Sequence, residues 1–429
     1  MRSLSLCVLA LLAACNSRGG SGNATAADAP GKGGSSGIDT TGAASPSTPL
    51  AQAPFQVQQL AAFDEPWALA FLPGSTSALV TEKKGHLQLW RPNGGTTEVA
   101  GVPRVAYGDQ GGLLDVVVSP HYETDHLVYL TYSEPGPGGS GLALARGRLV
   151  LDGGPPRLDG VQVIWHQTPR GNGGQFGAIV AFAPDGNSLF LSSGERQRFT
   201  PAQDPNQAIG KILHLTLDGK PAPGNPQAGK TGTPTVLVTD PPEDTETAKT
   251  APARRLPVEG TNLTPAETWS SGHRNPYGLA FTPDGRLWET EMGPRGGDEL
   301  NLILPGKNYG WPVASEGKNY DGVPIPNHAS HPEFQPPKLF WVPSISPSSL
   351  LIYGGNLFPQ WKSNGFIGAL SGQALIRITF DGDRAHKTEQ WDMGTRIRFV
   401  GQGPDGALYL LEDGERGSGG HLLKLIPKH

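Results

Sequence analysis

Residues Gly278–Thr290 read GLAFTPDGRLWET. An apolar run stands on each side of the turn Pro283-Asp284-Gly285, and each residue of that turn has its own physical role. Proline presets the first dihedral of the turn, the aspartate side chain bonds to the backbone that follows it, and glycine takes a positive φ angle. Two extended runs around such a turn predict a β-hairpin.

The same hairpin pattern recurs along the chain after Phe55. Further copies surround Pro73-Gly74, Pro184-Asp185-Gly186 and Pro404-Asp405-Gly406, and a looser copy surrounds Ser119-Pro120-His121. No amphipathic helix of three turns is predicted between the copies, which argues against a parallel α/β sheet. Copies spaced by several tens of residues over so long a chain are typical of a β-propeller, whereas a sandwich or jelly roll rarely needs this length. The sequence therefore predicts an all-β fold of four-stranded antiparallel blades.

Composition agrees with a fold of many short strands and turns. The chain has 429 residues, of which 60 are glycine and 41 are proline, and it carries a formal net charge of −5. This mild acidity offers no basic surface for nucleic acid, so we expect no nucleic-acid partner. From Thr231 to Trp269 the hairpin pattern is lost in a charged, proline-rich passage, which predicts a long insertion between strands.

The N-terminus has the features of a bacterial lipoprotein. An apolar run from Leu4 to Ala14 ends in Leu12-Ala13-Ala14-Cys15, so we predict a signal peptide over residues 1–14 and lipidation of Cys15. A plain secretory signal cleaved nearby is the alternative. Residues 15–54 are rich in Gly, Ser, Ala, Thr and Pro, and we predict a flexible tether there. Asn16 after the cysteine favours a lipid-anchored protein of the outer membrane that faces the periplasm.

Polar residues that flank the hairpins are candidates for a site, because propeller loops converge at one end of the central channel. Arg396 and Arg398 alternate on one strand, which places both guanidinium groups on one face and suggests a carboxylate or phosphate ligand. A surface pair bridged to Asp392 or Glu412 is the alternative. Backbone carbonyls of the Gly293-Pro294 turn could bind calcium, although the same turn could be purely structural.

Six motifs in order resemble the soluble PQQ-dependent aldose sugar dehydrogenases of the glucose/sorbosone dehydrogenase family. The likeness extends from about Phe55 to the C-terminus and implies a six-bladed β-propeller over residues 55–429. The motifs are DQGGLLDV (109–116), GHRNPYGLAFTPDGRLW (272–288), EMGPRGGDELN (291–301), GKNYGWP (306–312), PSISPSSL (343–350) and RIRFVGQGPDGALYLLEDG (396–414).

The resemblance implies that pyrroloquinoline quinone (PQQ) and Ca²⁺ bind at the channel mouth, and that the C1 hydroxyl of an aldose is oxidised to the lactone by hydride transfer to the quinone. Calcium would polarise the quinone oxygen as a Lewis acid. It also implies residue roles, which are as follows: Gln110 contacts substrate and cofactor, Arg274 and Asn275 hold the quinone, Gly293 and Pro294 bind calcium, Arg396 and Arg398 meet the PQQ carboxylates, and Glu195 orients the catalytic base.

Two positions depart from the family pattern. Gln175 stands where the family has its histidine base, and an amide cannot take up a proton at any useful pH. Ser371 stands where the family has a lysine that pairs with the cofactor. Glu195 is the first alternative as proton acceptor, and His166 could be brought in by a shifted loop. His273 is expected to be structural.

Three functions are compatible with these observations. The first is a PQQ- and calcium-dependent dehydrogenase at the cell envelope that oxidises an aldose or another polyol and passes electrons to a respiratory acceptor. The second, which the changes at Gln175 and Ser371 suggest, is a redox-inactive, calcium-stabilised propeller that binds a sugar or an envelope glycan. The third is a propeller hydrolase of the lactonase type.

Overall fold

The structure is a computed structural model that describes residues 47–238, 253–258, 260–414 and 419–428. Within these ranges the chain is built almost entirely of β-strands. Six blades of four antiparallel strands account for most of it, and one of these blades is extended by a fifth, parallel strand. The predicted signal peptide, the lipidation site Cys15 and the tether up to residue 46 lie outside the described residues, so these assignments remain predictions.

Two strands precede the first complete blade, namely β1 (Thr48–Pro49) and β2 (Phe55–Asp64). Blade 1 contains β3 (Pro66–Phe71), β4 (Ala78–Glu82), β5 (His86–Arg91) and β6 (Gly95–Glu98). Blade 2 contains β7 (Leu113–Val118), β8 (Leu127–Gly136), β9 (Gly139–Val150) and β10 (Arg157–His166). Blade 3 contains β11 (Gly177–Phe182), β12 (Ser188–Ser193) and β13 (Lys211–Thr216), and it is completed after an insertion with β14 (Thr235–Val238) and β15 (Arg254–Pro257) by β16 (Thr268–Ser271).

Blade 4 contains β17 (Pro276–Phe281), β18 (Leu287–Glu291), β19 (Asp298–Ile303) and β20 (Leu339–Trp341). Blade 5 contains β21 (Pro347–Ile352), β22 (Gly365–Ala369), β23 (Ala374–Asp381) and β24 (Arg384–Asp392). Blade 6 contains β25 (Ile397–Gln402), β26 (Leu408–Glu412) and β27 (Gly419–Pro427), with β2 as its fourth strand. The α-helices are single turns, α1 (Tyr122–Asp125) and α2 (Thr264–Glu267), and no helix in the described ranges is long and apolar enough to cross a membrane.

The hairpin predicted from Gly278–Thr290 is confirmed as β17 and β18, which pair antiparallel. Asp284 Oδ1 accepts a hydrogen bond from the backbone N–H of Arg286 at 3.3 Å, and Gly285 has a φ of +85°. The turn therefore works by the chemistry that its sequence indicates. The insertion expected between Thr231 and Trp269 is also confirmed, because β14, β15 and α2 lie between the third and fourth strands of blade 3.

The ring closes through hydrogen bonds between the two ends of the folded region. β2 pairs antiparallel with β27, from Phe55 opposite Pro427 to Asp64 opposite Gly419. The innermost strands β3, β7, β11, β17, β21 and β25 contact one another in sequence, and β25 contacts β3. This closed cycle of six contacts confirms the predicted propeller, in which no inner strand is left with a free face.

Residues 47–54, which the sequence assigned to the tether, are packed against blades 5 and 6. β1 pairs in parallel with β24, with Thr48 opposite Trp391, and Ala53 is 1% exposed. The backbone N–H of Lys428 donates to Pro54 O at 3.1 Å. The contacts of the propeller therefore begin before Phe55, because this short segment covers the outer edge of blade 5 and buries apolar surface of its own.

A central channel of about 460 Å³ runs between the six innermost strands. Its lining includes Trp67, Asp115, Ile179, Tyr277 and Leu350, each from a different blade. Apolar side chains fill the spaces between neighbouring blades and form the core. This arrangement leaves the loops around the channel mouth free to carry polar residues.

Candidate functional site

A cavity of about 600 Å³ lies at one end of the central channel. Trp67 and Tyr277 line both spaces, so the cavity is the mouth of the channel. Its polar lining includes the predicted site residues Gln110, Arg396 and Arg398. A larger cavity of about 770 Å³ lies on the outer side of blades 2 and 3, but it contains none of the residues assigned to the site by resemblance.

One wall of the mouth cavity is built around the carboxylate of Asp413. Arg396 donates to Asp413 Oδ2 through Nε at 2.9 Å and Nη2 at 2.8 Å, and Arg398 Nε donates to Asp413 Oδ1 at 2.9 Å. The two arginines do share one face, as their alternation predicted. Their acidic neighbour is Asp413 rather than Asp392 or Glu412, because Asp413 directly follows β26 and pairs through its backbone N–H with Arg396 O at 2.8 Å.

Asp413 is ionised in this setting. Burial alone would raise its pKa, but the positive charges of Arg398 and Lys83 and the hydrogen bonds from Arg396 outweigh burial and hold the pKa of Asp413 well below its usual range. The carboxylate therefore works as a fixed anion that orients the guanidinium groups, and it is a poor proton acceptor at neutral pH.

Lys83 is a third positive residue of this wall, which the sequence analysis did not single out. Its Nζ lies 3.5 Å from Asp413 Oδ1, and its side chain is 15% exposed. Burial and the charge of Arg398 lower the pKa of Lys83, although Asp413 and Glu65 oppose that shift. Lys83 comes from the turn between β4 and β5, more than three hundred residues before Asp413, so local sequence patterns could not connect the two.

Ser371 does not line the cavity, whereas its neighbour Leu370 does. The hydroxyl of Ser371 lies 2.8 Å from Ser346 Oγ and donates to Ser344 O at 3.3 Å. The serine thus joins two turns at the rim. It supplies no positive charge to the cavity, as the sequence departure implied.

Gln110 lines the mouth cavity, and Gln175 is bonded to it but is not part of the lining. Gln110 Oε1 accepts from the backbone N–H of Gln175 at 2.9 Å and from Tyr277 Oη at 3.3 Å. Gln175 is 3% exposed and has a φ of +52°, a region that most side chains avoid. These bonds bring the Gly-rich loop before β11, residues 171–177, against the loop that carries Gln110. Two predicted site residues are therefore neighbours in space.

Glu195 is placed differently from the sequence prediction. It is fully buried, and its carboxylate accepts backbone N–H bonds from Gln197 at 3.0 Å, Arg198 at 2.6 Å and Phe199 at 2.5 Å. Glu195 does not line the mouth cavity. A carboxylate that is committed to three amides stabilises its own loop, so the geometry favours a structural role over the proton-accepting role that the sequence ranked first.

His166 also lies away from the site. It lines the outer cavity of blades 2 and 3, and its Nδ1 is 2.8 Å from Glu134 Oε2. The prediction that a shifted loop brings His166 to the substrate is therefore wrong in this structure, because the residue ends the outermost strand of blade 2, β10.

Arg274 and Asn275 are buried directly behind the cavity. Arg274 Nη1 donates to Met292 O at 3.0 Å and to Gly293 O at 2.9 Å. Asn275 Oδ1 accepts from the backbone N–H of Gly177 at 3.3 Å, and Asn275 Nδ2 contacts Met292 Sδ at 3.7 Å. Met292 itself lines the cavity. The predicted pair is thus adjacent to the site and tied to the turn that contains Gly293.

The Gly293-Pro294 turn is held by Asp298. Asp298 Oδ1 accepts from Gly293 N at 2.8 Å, and Oδ2 accepts from the backbone N–H groups of Ile345 at 2.7 Å and Ser346 at 2.8 Å. Asp298 therefore anchors two turns. The Gly293 carbonyl lies against the Arg274 guanidinium, and its role as a calcium ligand remains a prediction.

A buried acidic cluster supports this turn from behind. Asn301 Nδ2 donates to Glu289 and Glu299 at 3.1 Å each and to Glu291 at 3.2 Å. Burial and the neighbouring carboxylates raise the pKa of Glu289, and burial raises the pKa of Glu299 to about 8. Glu291 Oε2 accepts the backbone N–H of Arg274 at 2.5 Å, and His273 Nδ1 is 3.2 Å from Glu291 Oε1. His273 sits in this supporting network, in agreement with its expected structural role.

Asp109 is a carboxylate that the sequence reasoning passed over as a proton acceptor. It precedes Gln110, is exposed, and lines the cavity together with Asp413. Asp413 is committed to its cations, whereas Asp109 takes part in no ion pair found among the described residues. The signal that could have identified it was its position beside Gln110 at the start of the motif DQGGLLDV.

The comparison with known families agrees with this architecture. The model of the Glucose / Sorbosone dehydrogenase family matches residues 63–238 and 247–424. The chain belongs to this family. The matched residues include nearly all of the propeller, and this match confirms the resemblance drawn from the six motifs.

Individual proteins resemble this chain over most of its length. The aldose sugar dehydrogenase YliI of Escherichia coli (strain K12) is 37% identical over 374 residues, which cover 85% of this chain and 91% of that protein. The crystal structure of the soluble aldose sugar dehydrogenase of Escherichia coli in its apo form matches with a TM-score of 0.73 and 36% identity, over 87% of this chain and 100% of that one. The PQQ-bound form of the aldose sugar dehydrogenase of Streptomyces coelicolor matches with a TM-score of 0.61 and 26% identity, over 88% and 100% of the two chains.

Proposed function

We propose that this protein is a PQQ- and calcium-dependent sugar dehydrogenase that oxidises the C1 hydroxyl of an aldose to the lactone. The observation that carries the proposal is the wall of Lys83, Arg396 and Arg398 around Asp413 at the mouth of the propeller. Family membership and the PQQ-bound relative supply the chemical context.

The residues of the cavity fit the proposed cofactor. Guanidinium groups bind carboxylates in a planar, bidentate manner, and PQQ is a carboxylate-bearing quinone. When bound, the quinone supplies a hydride acceptor and calcium supplies Lewis-acid polarisation. Arg396 and Arg398 would hold the carboxylates, and Arg274 and Asn275 would support the quinone. The carbonyls of Gly293 and Pro294 would hold calcium, that of Gly293 through the lone pair that Arg274 Nη1 leaves.

The proton of the substrate hydroxyl needs an acceptor that Gln175 cannot provide. The side chain of Gln110, which lines the cavity, can orient a hydroxyl by hydrogen bonding, and Gln175 in the neighbouring loop supports it through its backbone N–H. Asp109 is the cavity carboxylate best placed to accept the proton, since Asp413 is fixed by its cations and Glu195 by its amides. The proposed roles are therefore orientation by Gln110, supported by Gln175, and proton acceptance by Asp109.

The test is a titration of the full chain with PQQ in the presence and absence of calcium, followed by an aldose panel with a dye acceptor. Calcium-dependent PQQ binding with sugar-dependent dye reduction is the expected result. A protein that binds no PQQ with calcium present would refute the proposal. Formation of the lactone, followed by chromatography, identifies C1 as the oxidised position.

A second candidate function is sugar or glycan binding without redox chemistry, because Gln175 and Ser371 remove two groups of the family site. Loss of a general base typically costs about 10² to 10⁴ in rate. Saturable sugar binding by PQQ-loaded protein without dye reduction would favour this second function. Lactone hydrolysis without PQQ would instead indicate the lactonase-type alternative.

We further propose that the protein acts at the cell envelope, attached to the outer membrane through a lipid on Cys15 and facing the periplasm, where a respiratory acceptor takes its electrons. The apolar run before Leu12-Ala13-Ala14-Cys15 supports this location. Metabolic labelling with a radioactive fatty acid is expected to mark the wild-type protein and to leave Cys15→Ser unmarked. Label on the Cys15→Ser variant would contradict the assignment.

A further inference from the structure

Lys83 is held at the channel mouth by its backbone on both sides. Its N–H donates to Glu65 O at 3.1 Å, and its carbonyl accepts from Leu113 N at 3.0 Å. Gly112 packs so closely that a Cβ there would come within 2.1 Å of Lys83 O. Blades 1 and 2 thus fix the position from which the side chain enters the cavity.

The side chain of Lys83 meets the shared carboxylate of Asp413 only loosely. The Nζ to Oδ1 distance is 3.5 Å, whereas Arg398 and Arg396 reach the same carboxylate at 2.8 to 2.9 Å. An ammonium group has three donors, and a contact of this length satisfies none of them well. Lys83 also lines the mouth cavity, so its remaining donor capacity is available to a ligand there.

The local charge balance also favours an anion at this place. Lys83, Arg396 and Arg398 all pair with the one carboxylate of Asp413, and Glu65 is the second acid whose charge acts on Lys83. Glu65 is itself engaged by Tyr107 Oη at 2.5 Å. Asp109, the remaining acid of the cavity lining, is exposed to solvent, so within the partly buried wall three cations face two acids. An anionic ligand would neutralise the excess positive charge of this wall.

We propose that Lys83 is a cofactor-binding residue, which together with Arg396 and Arg398 binds a carboxylate of PQQ in the mouth cavity. This inference rests on the proposed function. It places in blade 1 the positive charge that Ser371 in blade 5 does not provide. Asp413 is then a positioning residue, which holds the three cations on one side of the ligand.

The test compares the full chain with its Lys83→Met and Lys84→Met variants by PQQ titration in the presence of calcium, followed through quenching of tryptophan fluorescence. Lys84 is the matched control, because it is the next residue, 37% exposed at its side chain, and paired with Asp64 outside the cavity. Lys83→Met is expected to raise the Kd for PQQ about ten-fold or more, since one partner of a partly desolvated charge pair is lost. Lys84→Met is expected to change it less than two-fold.

Two further readouts separate the possible outcomes. Lys83→Arg keeps the charge and is expected to recover most of the affinity, and the Kd of Lys83→Met is expected to rise less steeply with salt than that of the wild type. Equal Kd values for wild type and Lys83→Met, with the variant folded by circular dichroism, would overturn the inference while the proposed function stands. A wild-type protein that does not bind PQQ would overturn both.

Discussion

At the scale of single residues, the site depends on how each polar side chain is already engaged. Arg396 and Arg398 could be placed on one face from their spacing alone, because a strand alternates its side chains. Their partner Asp413 and the third cation Lys83 could not be found in this way, since Lys83 reaches them only through closure of the ring. The role of Glu195 could not be predicted for a different reason. Its carboxylate accepts hydrogen bonds from the backbone of its own loop, and the sequence does not reveal that conformation.

Position 175 gives the most direct test of the proton path. Gln175→His is expected to increase kcat of the PQQ- and calcium-loaded protein by about 10² or more, because histidine can accept the hydroxyl proton and tolerates a positive φ. Steady-state kinetics with an aldose and a dye acceptor measures the change. Gln175→Asn is the matched control and should not increase kcat.

The same series tests Asp109. In the wild-type background Asp109→Asn should lower kcat, whereas in the Gln175→His background the same substitution should have little effect. Equal losses in both backgrounds would show that Asp109 acts on something other than the proton.

Glu195→Gln separates a structural from a catalytic role. An amide keeps one acceptor oxygen, but its NH₂ group would face backbone N–H donors, so we expect a loss of about 2 kcal/mol in the free energy of unfolding. Chemical denaturation of the cofactor-free protein measures this loss. Unchanged stability together with a large fall in kcat would restore Glu195 as a proton acceptor.

At the scale of elements, the segment before Phe55 belongs to the propeller. Composition alone predicted a tether through residue 54, because the stretch offers few apolar residues of its own. The structure shows that a partner strand supplies what the segment lacks, since β1 pairs with β24 and Ala53 is buried by neighbouring blades. Such an edge pairing has no local signal that sequence patterns can detect.

Truncation within this segment tests its contribution. A chain that begins at Phe55 is expected to be about 2 kcal/mol less stable than one that begins at Ser47, because it loses the β1 pairing and the bonds from Lys428 to Ala51 and Pro54. It also leaves β24 as an open edge that favours aggregation. Melting temperatures and light scattering of the two chains provide the comparison, and identical values would show that residues 47–54 add nothing.

At the scale of the whole molecule, the recurring turns were sufficient to predict the propeller, and closure by the chain ends follows from that architecture. The Pro-Asp-Gly turns are stabilised by contacts within the turn, so the hairpins that they form can be predicted without knowledge of the tertiary structure. Buried carboxyl groups are a different matter, because their energetics depend on the complete fold. Glu267 in α2 is an example, since burial raises its pKa to about 7.

This raised pKa predicts a pH dependence of stability. At pH values between the ordinary pKa of a glutamate and about 7, Glu267 is protonated in the folded protein and ionised in the unfolded chain. The free energy of unfolding should therefore fall as the pH rises through that range. Glu267→Gln should remove this contribution, which is on the order of 3 kcal/mol at most. The stability of the variant relative to the wild type should therefore be higher at pH 8 than at pH 4. Urea denaturation at several pH values measures it, with exposed Glu123→Gln as the control. Parallel curves for wild type and Glu267→Gln would contradict the expectation.

Because β2 pairs with β27, the order of the strands along the chain could be changed while their positions in the propeller stayed the same. Residues 54 and 428 are joined by a backbone hydrogen bond of 3.1 Å, so a short peptide linker could connect them covalently in a chain that lacks residues 1–53 and with them the β1 pairing. New ends could then be opened at the exposed turn Pro283-Asp284-Gly285. In such a circular permutant the four strands of blade 6 would be consecutive in the chain. Blade 4 would instead be the blade that combines strands from both ends of the chain and closes the ring, while every residue of the channel mouth kept its neighbours.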